Sequence, residues 1–167
     1  MEPVIEIQGL CKDFRVGFWR RRTRILHPLT LTVYRGEIFG YLGPNGAGKT
    51  TTIKLLTGLI LPTAGSARLL DQDLTRIVAK QQIGFLPENP YFYDYLTGRE
   101  FMDLCGRLFG LPARVRRERI AALLHVTQLA GAADRQLRRY SKGMLQRLGL
   151  AQALINDPSL VILDEPM

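Results

Sequence analysis

The chain has 167 residues, of which 46% are hydrophobic, and its formal net charge at pH 7 is +8. This length and composition suit one globular domain with a buried core, and they exclude an intrinsically disordered chain. No apolar run approaches the roughly 20 residues of a membrane span, and Met1-Glu2-Pro3 is not expected to begin a signal peptide.

Two segments near the amino terminus alternate between apolar and polar residues, a pattern that predicts β-strands. Val4–Leu10 suits a strand at a half-exposed sheet edge, and Leu29–Val33 precedes a turn at Arg35-Gly36. The connection between the two contains the aromatic and basic run Gly17–Arg22. This run is either an ordinary surface loop or a contact with an anionic lipid face or an acidic partner, because Trp and Arg suit such interfaces.

A glycine-rich stretch then fits the P-loop pattern G-x-x-x-x-G-K-[ST]. Its flanks have the required character, because Glu37–Leu42 is predicted as a buried strand and Thr50–Leu59 as a helix. Glycines let successive backbone N–H groups turn inward around an anion, and the helix directs its positive amino-terminal end to the same place. The predicted nucleotide-binding residues are Gly43, Pro44, Asn45, Gly46, Ala47, Gly48, Lys49, Thr50 and Thr51.

Within this loop, Lys49 is expected to reach the β- and γ-phosphates as a catalytic residue, and the Thr50 hydroxyl is expected to bind Mg²⁺. Thr51 is a candidate contact to the α-phosphate. The alternative is a glycine-rich turn that only precedes a helix. It is less favoured because the Lys-Thr pair and both flanks fit the nucleotide-binding motif.

The middle of the chain is predicted to contain two short strands, Ala67–Leu70 and Ile83–Leu86, with a short helix near Thr75–Lys80 between them. Pro87 ends the second strand. An aromatic loop follows, and its aromatic residues are Tyr91, Phe92, Tyr93 and Tyr95.

Three longer helices are predicted after this loop. Thr97-Gly98-Arg99-Glu100 fits the capping box and begins the first helix, which ends near Gly110. The second covers about Ala113 to His125, and the third covers Lys142 to Ile155, with Ser141 as its cap. The arginines of the second helix are predicted to form a solvated face; they are Arg114, Arg116, Arg117 and Arg119.

Leu160–Leu163 is a continuous apolar run, predicted as a strand that is buried on both faces and shares the core sheet with Glu37–Leu42. Asp164 and Glu165 follow at its carboxyl end, where open α/β sheets bind ligands. Asp164 is expected to support Mg²⁺, which needs only one or two protein oxygens besides phosphate. Glu165 is the expected catalytic residue that orients and deprotonates an attacking water. The alternative is a strand end that merely carries two acidic residues.

The start of the third helix offers a second anion site, formed by Ser141 and the N–H groups of Lys142 and Gly143. One chain hardly needs two such sites for one triphosphate. A head-to-tail dimer would use both, with the second site closing on the γ-phosphate bound to the partner chain.

The order of these motifs resembles that of the ATP-binding cassette (ABC) ATPases over nearly the whole chain. The family signature Leu-Ser-Gly-Gly-Gln corresponds here to Tyr140-Ser141-Lys142-Gly143-Met144, a variant similar to the branch that serves ABC-2-type exporters. The resemblance implies an α/β fold with a P-loop NTPase core, an antiparallel β edge subdomain and a helical insert at about residues 89–145. It also implies a single domain over residues 1–167.

The resemblance further implies ATP and Mg²⁺ as cofactors and ATP hydrolysis coupled to export. The implied partners are a second ABC ATPase domain in a homodimer and a transmembrane permease subunit, with no nucleic acid. The implied location is the cytoplasmic side, peripheral on the inner face of the cell membrane. The two isolated cysteines, Cys11 and Cys105, match no disulfide or metal-binding spacing and are expected to be reduced there.

Some residue roles come from the resemblance alone. Phe14 matches the aromatic residue that stacks on adenine, and Glu88 stands where the family has a glutamine that contacts Mg²⁺ and the attacking water. The signature residues that would act in trans are Ser141, Lys142, Gly143 and Met144. The aromatic loop lies where the family docks the coupling helix of its transmembrane partner; an ordinary self-packed loop is the alternative.

The family's D-loop and switch histidine should follow Glu165. A chain that ends at Met167 is therefore expected to be truncated after the Walker B strand, and to retain ATP binding better than turnover. Three other functions stay open: a non-hydrolysing ATP-binding fragment, a soluble ABC ATPase without a membrane partner, and a small-molecule P-loop kinase. The kinase is least favoured because it would not need the Ser141 helix.

Overall fold

The structure is a computed structural model that describes residues 2–17, 21–74 and 80–165. The chain divides into two compact units, Met1–Lys80 and Gln81–Met167. The expectation of a single domain over residues 1–167 stays a prediction. The predicted short helix near Thr75–Lys80 lies almost wholly outside the described residues, as do Phe18, Trp19 and Arg20 of the aromatic and basic run.

The first unit is built on a four-stranded antiparallel sheet with the strand order β2-β1-β3-β4. Alternating residues pack one face of this sheet onto a core that includes Ile7, Leu10 and Leu69. The two predicted strands near the amino terminus are confirmed, and both extend to 14 residues because they pair along their length. The expected edge position of Val4–Leu10 is wrong, because β1 lies between β2 and β3 and pairs with both. The four strands are β1 (Pro3–Val16), β2 (Arg21–Tyr34), β3 (Ala64–Leu69) and β4 (Gln72–Asp73).

The strand predicted at Glu37–Leu42 is wrong. These residues have no regular secondary structure and belong to neither sheet of the described residues. Ile38 is fully exposed and Leu42 is 92% exposed, so the apolar run is not buried either. A strand exists only when a neighbour accepts and donates its backbone hydrogen bonds, and a local apolar pattern cannot supply that neighbour.

The helix after the P-loop, α1 (Lys49–Leu56), is confirmed but ends earlier than predicted. Leu55 and Leu56 are buried, and Thr57 closes the helix by donating its backbone N–H to the Ile53 carbonyl. Gly58 then adopts a left-handed φ of 68°, a conformation that ends helices.

The second unit combines a parallel strand pair with three helices. Strands β5 (Ile83–Leu86) and β6 (Leu160–Leu163) run parallel, with Ile83 opposite Leu160 and Leu86 opposite Leu163. The expectation that Leu160–Leu163 shares a sheet with Glu37–Leu42 is therefore wrong. Burial on both faces is also wrong, because Val161 and Leu163 are 38% and 37% exposed while Ile162 is buried. The helices are α2 (Gly98–Leu108), α3 (Ala113–Val126) and α4 (Lys142–Ala153).

The predicted capping box at the start of α2 is confirmed. The Thr97 hydroxyl accepts from the Glu100 backbone N–H at 3.2 Å, and the Glu100 carboxylate accepts from the Thr97 backbone N–H at 2.8 Å. The three helices and two 3₁₀ turns, Ala130–Ala132 and Leu137–Arg139, enclose a core of their own. Its fully buried members include Met102, Leu124, Leu129, Leu137, Leu148 and Ile155.

The prediction of a solvated arginine face on α3 is only partly correct. Arg114 pairs with Glu118 on the exposed side. Arg116 is 12% exposed, forms an ion pair with Asp103 of α2, and donates to the Leu111 carbonyl at 2.8 Å. Arg119 donates to the Ile155 carbonyl at 3.0 Å. These two arginines therefore fasten α3 to its neighbours, a role that a charge pattern along one helix does not reveal.

Candidate functional site

Two of the three glycines of the P-loop motif have the backbone that the sequence predicts, whereas Gly43 does not have a positive φ. Gly46 has a φ of 83° and Gly48 a φ of 86°, values in the left-handed region that side chains disfavour. Gly48 is also the N-cap of α1. A Cβ on Gly48 would lie 3.0 Å from Leu26 Cδ1 and 3.2 Å from the Ile25 carbonyl oxygen. The left-handed conformation and the close approach of the Ile25 backbone therefore both favour glycine at this position.

Lys49 folds back across the loop. Its ammonium Nζ donates to the carbonyl oxygens of Gly43 at 2.6 Å and Pro44 at 3.1 Å. A backbone hydrogen bond from the Ala47 N–H to the Pro44 carbonyl, at 3.1 Å, closes the turn. The one cation of the motif is thus held against the backbone at the start of the loop.

The first turn of α1 is open to an anion. It has no side-chain cap and no acidic residue, so its positive end is uncompensated. Thr50 is exposed and Thr51 is half-buried in this turn. Thr52 is buried, and its hydroxyl donates to the Gly48 carbonyl at 3.0 Å. Sequence reasoning did not single out Thr52, although a third consecutive threonine at a helix start is a signal for such a bond.

Phe14 lies on β1 opposite Thr23 and is half-buried. The Lys12 ammonium lies 5.1 Å from the centre of its ring and also donates to the Leu61 carbonyl at 2.6 Å. Sequence reasoning missed Lys12; the two-residue spacing of Lys12 and Phe14, which puts both on one strand face, could have found it.

The acidic candidates of the second unit follow the carboxyl ends of its two parallel strands. The parallel strands β5 and β6 end together at the Leu86–Leu163 pair, and the Asp164 backbone N–H continues the ladder by donating to the Leu86 carbonyl at 2.9 Å. Glu88 therefore follows one strand end, and Asp164 follows the other. Asp164 is buried, while Glu88 is exposed.

Glu165 follows Asp164 beyond the end of β6 and is exposed. Its φ of 50° is unusual for a residue with a side chain, and such conformations concentrate at functional positions. Among the residues that the structure describes, no group of three or more His, Cys, Asp or Glu side chains gathers to hold a metal ion. The carboxylates of Glu88 and Asp164 offer hard oxygens, the ligand type that suits Mg²⁺.

The Ser141 helix start has the geometry expected of it. Ser141 is the N-cap of α4, and its hydroxyl accepts from the Met144 backbone N–H at 3.3 Å. Ser141, Lys142 and Gly143 are exposed, and Met144 is half-buried. A Cβ on Gly143 would meet no atom of the described residues within 4 Å beyond its own helix backbone, so packing among those residues does not require glycine there.

Tyr140 anchors this helix start. Its ring is buried, and its hydroxyl donates to the Ala132 carbonyl at 2.8 Å. Burial raises the pKa of Tyr140, which keeps the hydroxyl a donor at neutral pH. Tyr140 replaces the leucine of the family signature, and this hydrogen bond is what the extra hydroxyl contributes.

The aromatic loop presents three tyrosines to solvent. Tyr91, Tyr93 and Tyr95 are exposed and contact one another in sequence, with ring centres 5.9 and 6.0 Å apart. Phe92 turns the other way and packs edge-on against Phe101, with ring centres 5.2 Å apart. A cavity of about 660 Å³ adjoins this loop. Its lining includes Tyr95, Leu96, Arg99, Leu104, Arg117 and Ile120.

The glycine-rich loop at a helix start defines the class first, that of the α/β P-loop NTPases. The family model described as "ABC transporter" matches residues 26–167, and the chain belongs to that family. The fold agrees, with a TM-score of 0.84 to a solved ATP-binding subunit of an ABC transporter that is 31% identical; the match covers 98% of this chain and 67% of that one. A dimeric post-hydrolysis ATP-binding cassette bound to ADP and Pi gives a TM-score of 0.86 at 23% identity, covering 98% and 74%, which shows the fold alone.

Curated relatives agree with this assignment. An uncharacterized ABC transporter ATP-binding protein of Nostoc sp. is 55% identical over 167 residues, which cover 98% of this chain and 50% of the relative. The Nod factor export ATP-binding protein I of Ralstonia nicotianae is 38% identical over 166 residues, covering 98% and 50%. The chain thus spans about half the length of the curated relatives that it matches.

Proposed function

We propose that the chain binds MgATP through the Gly43–Thr51 loop. The observation that carries this proposal is the pair of left-handed glycines, Gly46 and Gly48, at the start of α1, which has no side-chain cap, with the Lys49 ammonium bound to the Gly43 and Pro44 carbonyls of the same loop. Inward N–H groups, a positive helix end and one cation together form a site for a polyphosphate. The ammonium would exchange two neutral carbonyls for charged phosphate oxygens, which are stronger acceptors. Phe14 would then stack on the adenine.

Thr50, Asp164 and Glu88 are the proposed holders of Mg²⁺, since each offers an oxygen. The bound ion would neutralise charge on the phosphates. Glu165 is the proposed general base, because an exposed carboxylate with a left-handed backbone follows Asp164 at the same strand end. Glu88 would add a negative charge to this site, and as a carboxylate it would accept rather than donate a hydrogen bond.

In the complete protein we infer a dimer in which Ser141, Lys142, Gly143 and Met144 of one chain contact the nucleotide of the other. The support is the exposed start of α4, which has no acidic residue in its first turn, and the open space around Gly143. Glycine lowers helix stability by about 1 kcal/mol relative to alanine. Since no described neighbour outside its own helix requires a glycine at this position, close approach by an outside group would explain its presence.

Hydrolysis in that dimer would drive export through a transmembrane permease subunit, with the chain peripheral on the inner membrane face and no nucleic-acid partner. The support is the family membership and the relatives named for Nod factor export. The exposed tyrosines and the adjoining cavity suit a docking segment of that subunit. No helix within the described ranges has the length and hydropathy needed to cross a bilayer. A non-hydrolysing ATP-binding module remains the second candidate for the 167-residue chain.

The test of the phosphate cradle compares two lysines of α1. Lys49→Ala should weaken MgATP binding about 10- to 100-fold, the value of one or two hydrogen bonds to charged groups. Lys54→Ala removes the same charge from the last turn of the helix and should leave affinity within about 2-fold. Isothermal titration calorimetry measures both. Equal affinity of Lys49→Ala and the wild type would reject the cradle.

A further inference from the structure

The end of the β1–β2 hairpin carries an excess of positive charge on one of its two faces. Regular pairing continues through Asp13–Arg24 and Arg15–Arg22. Opposed residues of an antiparallel pair lie on the same face, and so do residues two apart on one strand. These four side chains therefore share one face, which we call the hairpin basic face: Asp13, Arg15, Arg22 and Arg24.

Only Arg24 of this face forms an ion pair among the described residues, although the Asp13 carboxylate also attracts Arg22. Arg24 Nε donates to the Asp13 carboxylate at 2.9 Å, and this hydrogen bond holds the pKa of Asp13 below its ordinary value. Arg15 and Arg22 are exposed and make no ion pair among the described residues. Their cross-strand opposition places two like charges side by side, which destabilises the hairpin unless an anion lies between them.

The opposite face of the hairpin carries Phe14, the proposed contact to adenine. Phe14 alternates with Asp13 and Arg15, so it points away from the basic face, and Lys12 lies over its ring. The basic face is therefore outside the proposed nucleotide site. Substitutions on it should leave the surroundings of Phe14 intact.

We propose that the hairpin basic face binds the phosphates of anionic phospholipids at a membrane surface. Two adjacent guanidinium groups can each donate paired hydrogen bonds to phosphate oxygens. Polybasic segments gain about 1 kcal/mol per Lys or Arg near an anionic bilayer. The residues between the strands, Phe18, Trp19 and Arg20, lie outside the described ranges. Their composition alone favours a bilayer interface over a soluble acidic segment.

The experiment is vesicle co-sedimentation of the 167-residue chain. Vesicles of phosphatidylcholine alone are compared with vesicles containing 30% phosphatidylglycerol, a fraction of about one anionic lipid in three that gives the surface a negative potential. The test variant is Arg15→Gln with Arg22→Gln, which keeps the Asp13–Arg24 pair. The charge-matched control is Arg114→Gln with Arg117→Gln on exposed positions of α3. MgATP affinity of every variant is measured alongside as a check on folding.

The wild type should sediment with the phosphatidylglycerol vesicles and not with phosphatidylcholine. The test variant should bind about 10- to 30-fold more weakly, and the control should lose less than about 3-fold. The proposal is overturned by equal binding to both vesicles, or by equal losses in the two variants. Binding to poly-glutamate as tight as to the vesicles would also overturn it, in favour of an acidic protein. If the wild-type chain binds the vesicles but does not bind MgATP, the proposed nucleotide function is rejected and the lipid result stands.

Discussion

At the scale of single residues, Gly143 is a position where helix stability and nucleotide binding are expected to favour different side chains. Apart from its own helix and chain neighbours, no described residue comes within 4 Å of a Cβ added there, and its backbone is helical. A methyl group added there should improve the helix, because alanine is the better helix former. The same methyl group would stand in the way of a nucleotide that approaches the exposed start of α4.

We therefore expect Gly143→Ala to raise the free energy of unfolding by about 0.5–1 kcal/mol and to lower ATP turnover of the complete dimeric protein. Urea denaturation and a phosphate-release assay measure the two effects. Gly131→Ala, at another open glycine, is the control and should leave turnover unchanged. Undiminished turnover of Gly143→Ala would argue against contact with the nucleotide.

Asp103 shows how one carboxylate holds two helices together. Its hydrogen bond with Arg116 of α3, followed by one with Arg107, lowers the pKa of Asp103. A group with a lowered folded-state pKa stabilises the protein above its ordinary pKa of about 3.9, and the contribution is lost as the pH falls through the lowered value.

Asp103→Asn should cost about 1–3 kcal/mol of stability at pH 7, because it leaves the nearly buried Arg116 without its anion. The difference from the wild type should shrink as the pH falls below about 4. Urea denaturation at pH 7, 5 and 3 gives this profile. A difference that stays constant over that range would contradict the ion-pair explanation.

At the scale of elements, the contact between β5 and α4 depends on the absence of a side chain. A Cβ on Gly84 would lie 2.0 Å from the Ala153 carbonyl oxygen, a backbone atom that cannot move aside alone. A Cβ on Gly149, in α4, would meet the end of the Leu86 side chain at 2.6 Å and would contact Phe92 and Pro90 side-chain atoms at the ordinary distances of 3.5 and 3.8 Å. A flexible side-chain end can shift, whereas a helix backbone cannot.

Gly84→Ala should therefore destabilise the protein by about 3 kcal/mol, at the upper end of overpacking costs, and Gly149→Ala should cost less. Thermal unfolding of the two variants in parallel gives the comparison. The same melting temperature for Gly84→Ala and the wild type would show that strand and helix are less tightly packed than described.

The elements also show what a single sequence can predict. The capping box at Thr97 and the helix after the P-loop were predictable, because caps and helical periods are local patterns. The unpaired Glu37–Leu42 segment and the half-exposed β6 were not, because strand pairing and burial depend on distant segments. The arginine clamps of α3 were missed for the same reason.

At the scale of the whole molecule, the sequence predicts the motif residues of the candidate site, but it does not predict the neighbouring residues that contact them. Lys49, Asp164 and Ser141 come from motifs whose chemistry fixes the residue type. Thr52, Lys12 and Tyr140 do supporting work through contacts that become visible only once the chain is folded. The motif residues belong to two compact units of the chain.

Glu165→Gln tests catalysis in the complete dimeric protein. The amide should keep MgATP affinity, since it removes a charge without changing size, and turnover should fall about 100-fold or more with the loss of a general base. Phosphate release and nucleotide binding are measured on the same preparation. Turnover within about 3-fold of the wild type would reject the assignment of Glu165 as base.

The most direct measurement of the central claim is calorimetric titration of the chain with MgATP, MgADP and AMP. The Gly43–Thr51 loop with Lys49 recognises phosphates, so affinity should rise with their number and be weakest for AMP. Binding of AMP as tight as that of MgATP, or no binding of any of the three, would contradict a phosphate cradle at the start of α1.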